Sequence, residues 1–212
     1  CVCLMKQRVD KIAPVHPFNM NFNNYYCVFK KGLPIEFCDK IISLAANQNK
    51  NKANVSDNDT TKRLSNITWL DESWIDETLK PYIDKANEDC NWNLQWDKTE
   101  KAQYTEYETG QYYKWHIDQL AKPYSEKFGK DYQGKIRKLS VTISLSDPED
   151  YEGGRLEFYT STPYEQKIIS CDQILDKGSL VVFPSFIWHQ ITPVTKGIRK
   201  SLVLWNLGYP YK

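Results

Sequence analysis

The second half of the chain alternates short β-type segments with turn residues, and this pattern narrows the possible folds more than any other feature. Glycine and proline signals, among them Gly110, Gly153-Gly154, Lys177-Gly178 and Lys196-Gly197, separate the segments. The pattern predicts strands at 101–108, 112–118, 137–146, 154–160, 166–171, 179–184, 187–194 and 199–207. Many short strands at close spacing are typical of a β-sandwich or a jelly roll. We therefore expect a mainly β fold.

The first half of the chain predicts two amphipathic helices. From Leu33 to about Asn47, apolar residues recur at steps of three and four. A second helix is expected to open at Asp71 or Glu72, and Pro81 is expected to kink or split it. The polar residues 49–63 between the helices are typical of a loop. We expect both helices to pack on one sheet of the β core.

Length and composition set the limits on domain number and on partners. The chain has 212 residues, so we expect one domain over 1–212, with a helical lead-in at 1–98 and the β core at 99–212. A net charge of +1 disfavours nucleic acid as a partner. No run of 18 apolar residues predicts a membrane span, and the N-terminal residues lack the apolar stretch of a signal peptide. The six cysteines form no CxxC pair, which favours free thiols in a reducing cytoplasm.

His116-Ile117-Asp118 is the first of two segments that indicate chemistry. Residues i and i+2 of a strand point to the same face, so the imidazole and the carboxylate are expected side by side. A second imidazole from a distant strand, His189, would complete a set of two histidines and one carboxylate. That set leaves coordination positions open and suits non-haem Fe(II) that activates oxygen. A histidine and an aspartate at this spacing also occur by chance, so the pair alone is weak evidence.

Arg199 follows ten residues after His189 and strengthens the metal-site hypothesis. We expect it on the strand next to that of His189, reaching the same cavity at greater depth. A guanidinium matches a carboxylate with two hydrogen bonds, so it could hold an organic acid. The alternative is an exposed strand residue, a role that strand alternation assigns to Lys200 if Arg199 faces inward. Ser201 shares the face of Arg199.

These residues belong to a longer pattern that resembles a known family. The pattern is Tyr107-x-x-Gly110-x-x-Tyr113-x-x-His116-x-Asp118, followed by His189-Gln-Ile-Thr-Pro193-Val194-Thr-x-Gly197-x-Arg199-x-Ser201-x-x-x-Trp205, with Leu145 to Leu156 between them. It resembles the Fe(II)/2-oxoglutarate-dependent dioxygenases, and within them the prolyl 4-hydroxylase-like branch, including its bacterial and phage-encoded members. The resemblance covers residues 100–208. Members of this branch more often carry lysine at the position of Arg199, a change that keeps the charge.

The resemblance implies a fold, cofactors and residue roles. The fold is a double-stranded β-helix, or jelly roll. The cofactors are Fe(II), bound by His116, Asp118 and His189, with 2-oxoglutarate and O2 as co-substrates and ascorbate as an optional reductant. Arg199 would hold the distal carboxylate of 2-oxoglutarate. The further candidates for contact with 2-oxoglutarate are Ser201, Tyr107, Thr142 and Ser144, and those for contact with the substrate are Tyr113, Arg155 and Trp205. For each tyrosine, packing in the core is an equally good interpretation.

The implied activity is hydroxylation of a C–H bond, with release of succinate and CO2. The branch favours a prolyl or other residue of a peptide or protein, held by the 119–136 connection and the 147–160 hairpin. Two alternatives remain open, a hydroxylase of a free amino acid or small metabolite and a non-catalytic metal-binding jelly roll that serves as an interaction module. Repair of alkylated nucleic acid is disfavoured because Trp205 stands where such enzymes carry a second arginine. We expect the protein in the cytoplasm of a bacterium or of a phage-infected cell.

Overall fold

The computed structural model describes residues 24–48, 51–52, 61–161 and 166–211, and in this part of the chain β-strands dominate. The predicted mainly β class is therefore confirmed. The strands are β1 Cys27–Phe29, β2 Asn51–Lys52, β3 Arg63–Leu64, β4 Asn66–Leu70, β5 Lys98–Thr99, β6 Ala102–Glu108, β7 Tyr112–His116, β8 Ile136–Ser144, β9 Tyr151–Gly153, β10 Leu156–Ser161, β11 Gln166–Ser170, β12 Leu180–Pro184, β13 His189–Ile191 and β14 Val194–Gly208. Short 3-10 turns span Glu126–Phe128, Pro148–Asp150 and Asp172–Ile174.

Two helices, α1 (Ile35–Ala46) and α2 (Ser73–Asp89), cover one face of the larger sheet. α2 buries the apolar stripe that its sequence periodicity predicts, and α1 buries most of its own, although Ile35 at its first position is exposed. Pro81 lies inside α2, which continues through it as one helix. A proline in a helix interior costs about 3 kcal/mol, and burial of apolar side chains on both sides of it offsets that cost. The buried helix residues are Phe37, Cys38, Ile41 and Ala45 of α1 and Ile75, Leu79, Ile83 and Ala86 of α2. Neither described helix combines the length and apolarity needed to cross a bilayer.

The larger sheet has the strand order β1-β12-β8-β14-β6-β4-β2, with β5 and β9 also paired to β14. Several of its strands come from the predicted helical lead-in. The prediction of one continuous loop over 49–63 is wrong, because β2 and the first residue of β3 fall inside it. Short strands of two residues carry too little periodicity to stand out in a polar run.

The smaller sheet has the order β11-β10-β13-β7-β3, and it faces the larger one. Strand alternation divides the core between the two faces of the larger sheet. Leu202 and Leu204 point to the helices, whereas Arg199, Ser201 and Val203 of the same strand point to the space between the sheets. A second apolar cluster, which includes Phe158 and Phe183, fills one part of that space. The two facing sheets form the predicted double-stranded β-helix with helices on one sheet.

β14 runs without a break from Val194 to Gly208, whereas the sequence predicted two strands with a turn at Lys196-Gly197. Gly197 instead lies inside the strand at a φ of 74° and pairs with Tyr151. The expectation that Arg199 lies on the strand next to that of His189 is also wrong. His189 belongs to the smaller sheet and Arg199 to the larger one, so the two side chains meet across the space between the sheets.

Four cysteines lie within the described residues, and all of them are buried. They are Cys27, Cys38, Cys90 and Cys171, and no disulfide joins any two of them. Cys1 and Cys3 lie outside the described residues.

Candidate active site

His116, Asp118 and His189 converge at one end of the space between the sheets. One ligand atom from each of the three lies within 4.8 Å of the others. His116 ends β7, His189 begins β13, and the two are directly opposite in the antiparallel ladder that joins these strands. Asp118 follows two residues after His116, and its oxygens lie 3.7 Å from His116 Nε2 and 3.5 Å from His189 Nε2. The three residues that the sequence nominated as metal ligands are therefore together.

Backbone carbonyls fix the tautomer of both imidazoles. His116 Nδ1 lies 2.7 Å from Lys114 O, and His189 Nδ1 lies 2.9 Å from Ile187 O. A carbonyl oxygen only accepts, so each Nδ1 carries the proton and donates it. Each Nε2 then keeps its lone pair, which is the form of histidine that binds a metal ion.

The Asp118 carboxylate is buried, and hydrogen bonds hold both its side chain and its backbone in place. Its Oδ2 accepts a hydrogen bond of 2.8 Å from Ser140 Oγ, which lies 2.9 Å from Ser185 Oγ. The Asp118 backbone N–H donates to Ser185 O at 2.9 Å. Two imidazoles and one carboxylate, all oriented by groups behind them, match the donor set that non-haem Fe(II) prefers. The residues present therefore fit an Fe(II) ion.

The surroundings keep the His116 imidazole neutral and the Asp118 carboxylate charged. Burial and the neighbouring His189 lower the pKa of His116 to about 3, against the opposing effect of Asp118. Burial alone would raise the pKa of Asp118, but the two histidines, Arg137 and Ser140 outweigh it and hold that pKa below its ordinary value. Metal ligands must be deprotonated, so both directions favour metal binding at neutral pH.

Arg199 lines the same cavity and is only 3% exposed. One of its Nη atoms donates to Ser201 Oγ at 3.2 Å, and its guanidinium lies 5.6 Å from the centre of the Tyr107 ring. Within the described residues, no carboxylate lies within ion-pair distance of it. A buried arginine without a carboxylate partner is costly, and an acid bound in the cavity would remove that cost. Thr142 and Trp205 line the cavity as well.

A second buried arginine, Arg63, contacts the tyrosine that stacks on His116. The Tyr113 ring stacks on His116 with 3.5 Å between ring centres and 14° between planes. The Arg63 guanidinium lies 4.7 Å from the centre of the same tyrosine ring. Its Nε donates to Ser65 Oγ at 2.9 Å, and one Nη donates to Gln103 Oε1 at 2.7 Å. Both arginines line one cavity with the triad.

The long connection 119–136, which follows Asp118, is hydrogen-bonded to residues behind the cavity wall. Tyr124 within it donates to Glu100 at 2.9 Å. Glu100 also accepts two hydrogen bonds of 2.7 Å from Arg137, whose guanidinium stacks 3.9 Å from the centre of a Trp205 ring. Glu100 thus compensates the charge of Arg137, and Trp205 is fixed from behind.

The structure brings most of the nominated site residues to the cavity. Tyr107, Tyr113, Thr142, Ser201 and Trp205 line it together with the triad and Arg199. Ser144 and Arg155 are not among the lining residues. Ser144 directs its hydroxyl to the carbonyls of Ser146 and Leu175 at 3.4 Å, and Arg155 pairs with the exposed Asp172 at 3.2 Å. Their proposed roles remain predictions.

Sequence reasoning missed Arg63, Gln103 and Ser140. Ser140 could have been found, since it lies in the same strand phase as Thr142, which was nominated. Arg63 gave a weaker signal. It is the one arginine in the lysine-containing polar segment 49–63, and arginine is the better residue for a buried cation with several hydrogen bonds.

Comparison with known proteins agrees with this geometry. The family model for the 2OG-Fe(II) oxygenase superfamily matches residues 102–206, about half of the chain, and this segment contains the triad and Arg199. A PKHD-type hydroxylase of Shewanella sp. (strain ANA-3) is 42% identical over 74 residues. That match covers 34% of this chain and 30% of the relative, so it spans under a third of the curated protein.

Two solved structures have the same fold. A viral collagen prolyl hydroxylase from Paramecium Bursaria Chlorella virus-1, in complex with 2OG, gives a TM-score of 0.61 at 20% identity and covers 87% of this chain and 97% of its own. A prolyl hydroxylase from Trichoplax adhaerens, in complex with a peptide fragment of the hypoxia inducible factor oxygen degradation domain, gives 0.63 at 20% identity and covers 85% and 82%. The chain belongs to the 2OG-Fe(II) oxygenase superfamily, and its fold is that of the prolyl 4-hydroxylase-like branch.

Proposed function

We propose that the chain is an Fe(II)- and 2-oxoglutarate-dependent hydroxylase that acts on a C–H bond of a prolyl or other residue in a peptide or protein, with release of succinate and CO2. One observation carries the proposal. His116, Asp118 and His189 meet within 4.8 Å, with both Nε2 lone pairs free, in a cavity that also contains the buried Arg199. A structural metal site has no need of a buried cation beside it, which disfavours the non-catalytic interaction module.

Different residues of the site would bind the metal, orient 2-oxoglutarate and exclude water. The triad would hold Fe(II) on one side only, leaving positions open to ligands. When bound, iron and 2-oxoglutarate supply the activation of oxygen and the oxidising power. Arg199, with the Ser201 hydroxyl, would bind the distal carboxylate of 2-oxoglutarate and so fix the orientation of its keto-acid end.

The aromatic residues around the triad limit the access of water. Tyr113 covers one face of the His116 ring, and burial raises the pKa of its phenol to about 12, so it stays neutral at physiological pH. Trp205 forms another part of the wall. A dry site protects reactive intermediates from side reactions.

A peptide or protein substrate is supported by the neighbours and by the edge of the site. The Trichoplax adhaerens enzyme was solved with a peptide fragment. In this chain, Trp69 is 40% exposed and lies 6.1 Å from Trp205, between ring centres. An exposed aromatic residue beside a catalytic cavity offers packing area to an extended peptide.

The experiment that tests the reaction class is anaerobic reconstitution with Fe(II), followed by titration with 2-oxoglutarate. We expect binding, with the metal-to-ligand absorption band of the chelate, and succinate formation once oxygen is admitted. His189→Ala should abolish both, whereas Gln190→Ala, which removes a side chain paired with Glu157 outside the cavity, should retain them. Metal binding by the unaltered protein without 2-oxoglutarate binding would support the interaction module instead.

The role of Arg199 is tested by a pair of adjacent substitutions on opposite faces of β14. Arg199→Ala should weaken 2-oxoglutarate binding by about 2–4 kcal/mol, the cost of removing one partner of a desolvated charge pair. Lys200→Ala should leave it within about 0.5 kcal/mol. Both dissociation constants come from the same anaerobic titration. An unchanged affinity in Arg199→Ala would place the acid elsewhere.

A further inference from the structure

We propose that Arg63 binds a carboxylate of the substrate, so that the enzyme acts on a carbon a few bonds from an acid group. The inference rests on the proposed function and adds the chemical class of the substrate to it.

Arg63 is a buried cation without an acidic partner among the described residues. It is 8% exposed, and its two hydrogen bonds go to neutral oxygens of Ser65 and Gln103. In the part of the chain that the structure describes, no carboxylate oxygen lies within ion-pair distance of it. A guanidinium has five N–H donors, and two of them are used here. The others remain for a ligand, and a buried, uncompensated charge is stabilised strongly by an anion.

Two more hydrogen-bond donors lie in the same cavity. Gln103 receives Arg63 and Thr105 on its Oε1, at 2.7 and 3.3 Å, so its amide nitrogen stays a donor. Trp205 is 5% exposed, and its Nε1 has no hydrogen-bond partner within the described residues. Arg63, Gln103 and Trp205 all line the cavity. A group of donors with a positive charge is complementary to a carboxylate.

The charges of the complete site leave Arg63 uncompensated by the co-substrate. Fe(II) and Arg199 together carry three positive charges, and Asp118 with the two carboxylates of 2-oxoglutarate carries three negative ones. Arg137 is compensated by Glu100 at 2.7 Å. The charge of Arg63 is therefore left over among the residues that line the cavity. The substrate is the remaining ligand, and it would supply the compensating anion.

The position of Arg63 sets how far the acid group lies from the reacting carbon. Tyr113 is interposed between Arg63 and His116, 4.7 Å from the guanidinium and 3.5 Å from the imidazole. A carboxylate on Arg63 therefore lies beside the metal-ligand set, separated from it by the thickness of one aromatic ring. An α-carboxylate of a free amino acid and an acidic side chain next to the target residue of a peptide both satisfy this spacing.

The test measures equilibrium binding to the anaerobic protein loaded with Fe(II) and 2-oxoglutarate, by isothermal titration calorimetry. The small probes are N-acetylproline and N-acetylleucine, each against its carboxamide. The peptide probes are end-capped Gly-Pro-Glu-Gly and Gly-Pro-Gln-Gly. We expect the acid of at least one pair to bind roughly tenfold or more tightly than its neutral partner. Preference within the small pairs identifies a free acid as the source, and preference within the peptide pair identifies an acidic side chain.

Three variants assign that preference. Arg63→Gln should bind acid and amide equally, Arg63→Lys should keep part of the preference, and Lys85→Gln, which removes an exposed charge from α2, should behave as the parent. The affinity of Arg63→Gln for 2-oxoglutarate should stay within about twofold of the parent value. Far-ultraviolet circular dichroism confirms that each variant is folded.

Each outcome bears on one of the two proposals. An acid preference that is absent from the parent, or retained in Arg63→Gln, contradicts the role of Arg63. Loss of 2-oxoglutarate affinity in Arg63→Gln, on the scale expected for Arg199→Ala, would assign Arg63 to the co-substrate and also contradicts it. Failure of the parent to bind 2-oxoglutarate contradicts the proposed function itself and is seen in a separate titration.

Discussion

At the scale of single residues, each member of the triad owes its orientation to a hydrogen bond behind it. Lys114 O and Ile187 O fix the imidazoles, and Ser140 Oγ fixes the carboxylate. Partners of this kind commonly change metal affinity by 10–100-fold when removed. Ser140 is the one of the three that acts through a side chain, so it can be removed by substitution.

Ser140→Ala should weaken metal binding by roughly tenfold, because Asp118 Oδ2 loses its hydroxyl donor and becomes free to rotate. Competition between the protein and a chelating dye for Co(II), used as a stand-in for Fe(II), measures the change. Ser170→Ala removes a hydroxyl that donates to the exposed Asp172 and serves as the control. Equal affinities in the two variants would show that the Ser140 hydrogen bond does not support the carboxylate.

The sequence predicted that His116 and Asp118 lie side by side because local spacing is enough to place them together. It predicted Thr142 as a lining residue for the same reason. It could not predict the Arg63 position, since that depends on a contact between a two-residue strand and Gln103, forty positions away. Contacts of this range leave no period in the local sequence.

At the scale of elements, two glycines with positive φ have different structural roles in this chain. Gly110 and Gly197 both have positive φ, and both were interpreted as turns. Gly110 lies in open space, whereas a Cβ on Gly197 would collide with the Asp150 carbonyl of the neighbouring segment. Gly197 thus permits β9 to approach β14 closely, two residues before Arg199. Local sequence does not distinguish a turn glycine from one that admits another backbone.

Gly197→Ala and Gly110→Ala form a matched pair that distinguishes the two structural roles. Gly110→Ala should lower the free energy of unfolding by about 1 kcal/mol, the cost of positive φ alone. Gly197→Ala should lower it by at least about 2 kcal/mol, because the collision with Asp150 adds to that cost. Urea unfolding followed by tryptophan fluorescence gives both values. Equal losses would mean that β9 moves aside without cost.

At the scale of the whole molecule, the fold buries charged side chains as well as apolar ones. Lys138 is one of them. It is 3% exposed, its Nζ lies 3.4 Å from the centre of the Tyr211 ring, and burial lowers the pKa of its amino group to about 8. The folded protein therefore releases this proton more readily than the unfolded chain does.

The contribution of Lys138 to the stability of the protein should accordingly rise with pH above 8. Between pH 8 and the ordinary lysine pKa of 10.5, the unfolded chain binds the Lys138 proton and the folded protein does not. The Lys138 contribution to the free energy of unfolding then increases by up to about 1.4 kcal/mol per pH unit. Below pH 8 the folded protein also binds the proton, so this gain is lost.

Lys138→Met isolates this contribution from other titrating groups. The difference in unfolding free energy between the protein and the variant should shift in favour of the protein from pH 8 to pH 10, as measured by urea unfolding. Lys101→Met, at an exposed lysine paired with Asp71, is the control and should show no such shift. A constant difference for Lys138→Met would contradict the lowered pKa.

The sequence predicted the positions of helices and strands better than it predicted which strands pair in one sheet. Helix and strand periodicity follow from which side chains are buried, so the classes and most positions of the long elements were correct. Which strands share a sheet depends on pairings between distant segments, such as β1 with β12. This is why His189 and Arg199 were expected on adjacent strands, although they approach each other from opposite sheets.

The direct opposition of His116 and His189 in one β-ladder has a mechanical consequence. An ion held by both imidazoles would act as a staple across β7 and β13, at the point where the regular pairing of these strands shifts register. Metal binding would then make the smaller sheet more rigid as well as complete the site. The same event would supply the metal ion and cross-link the two strands.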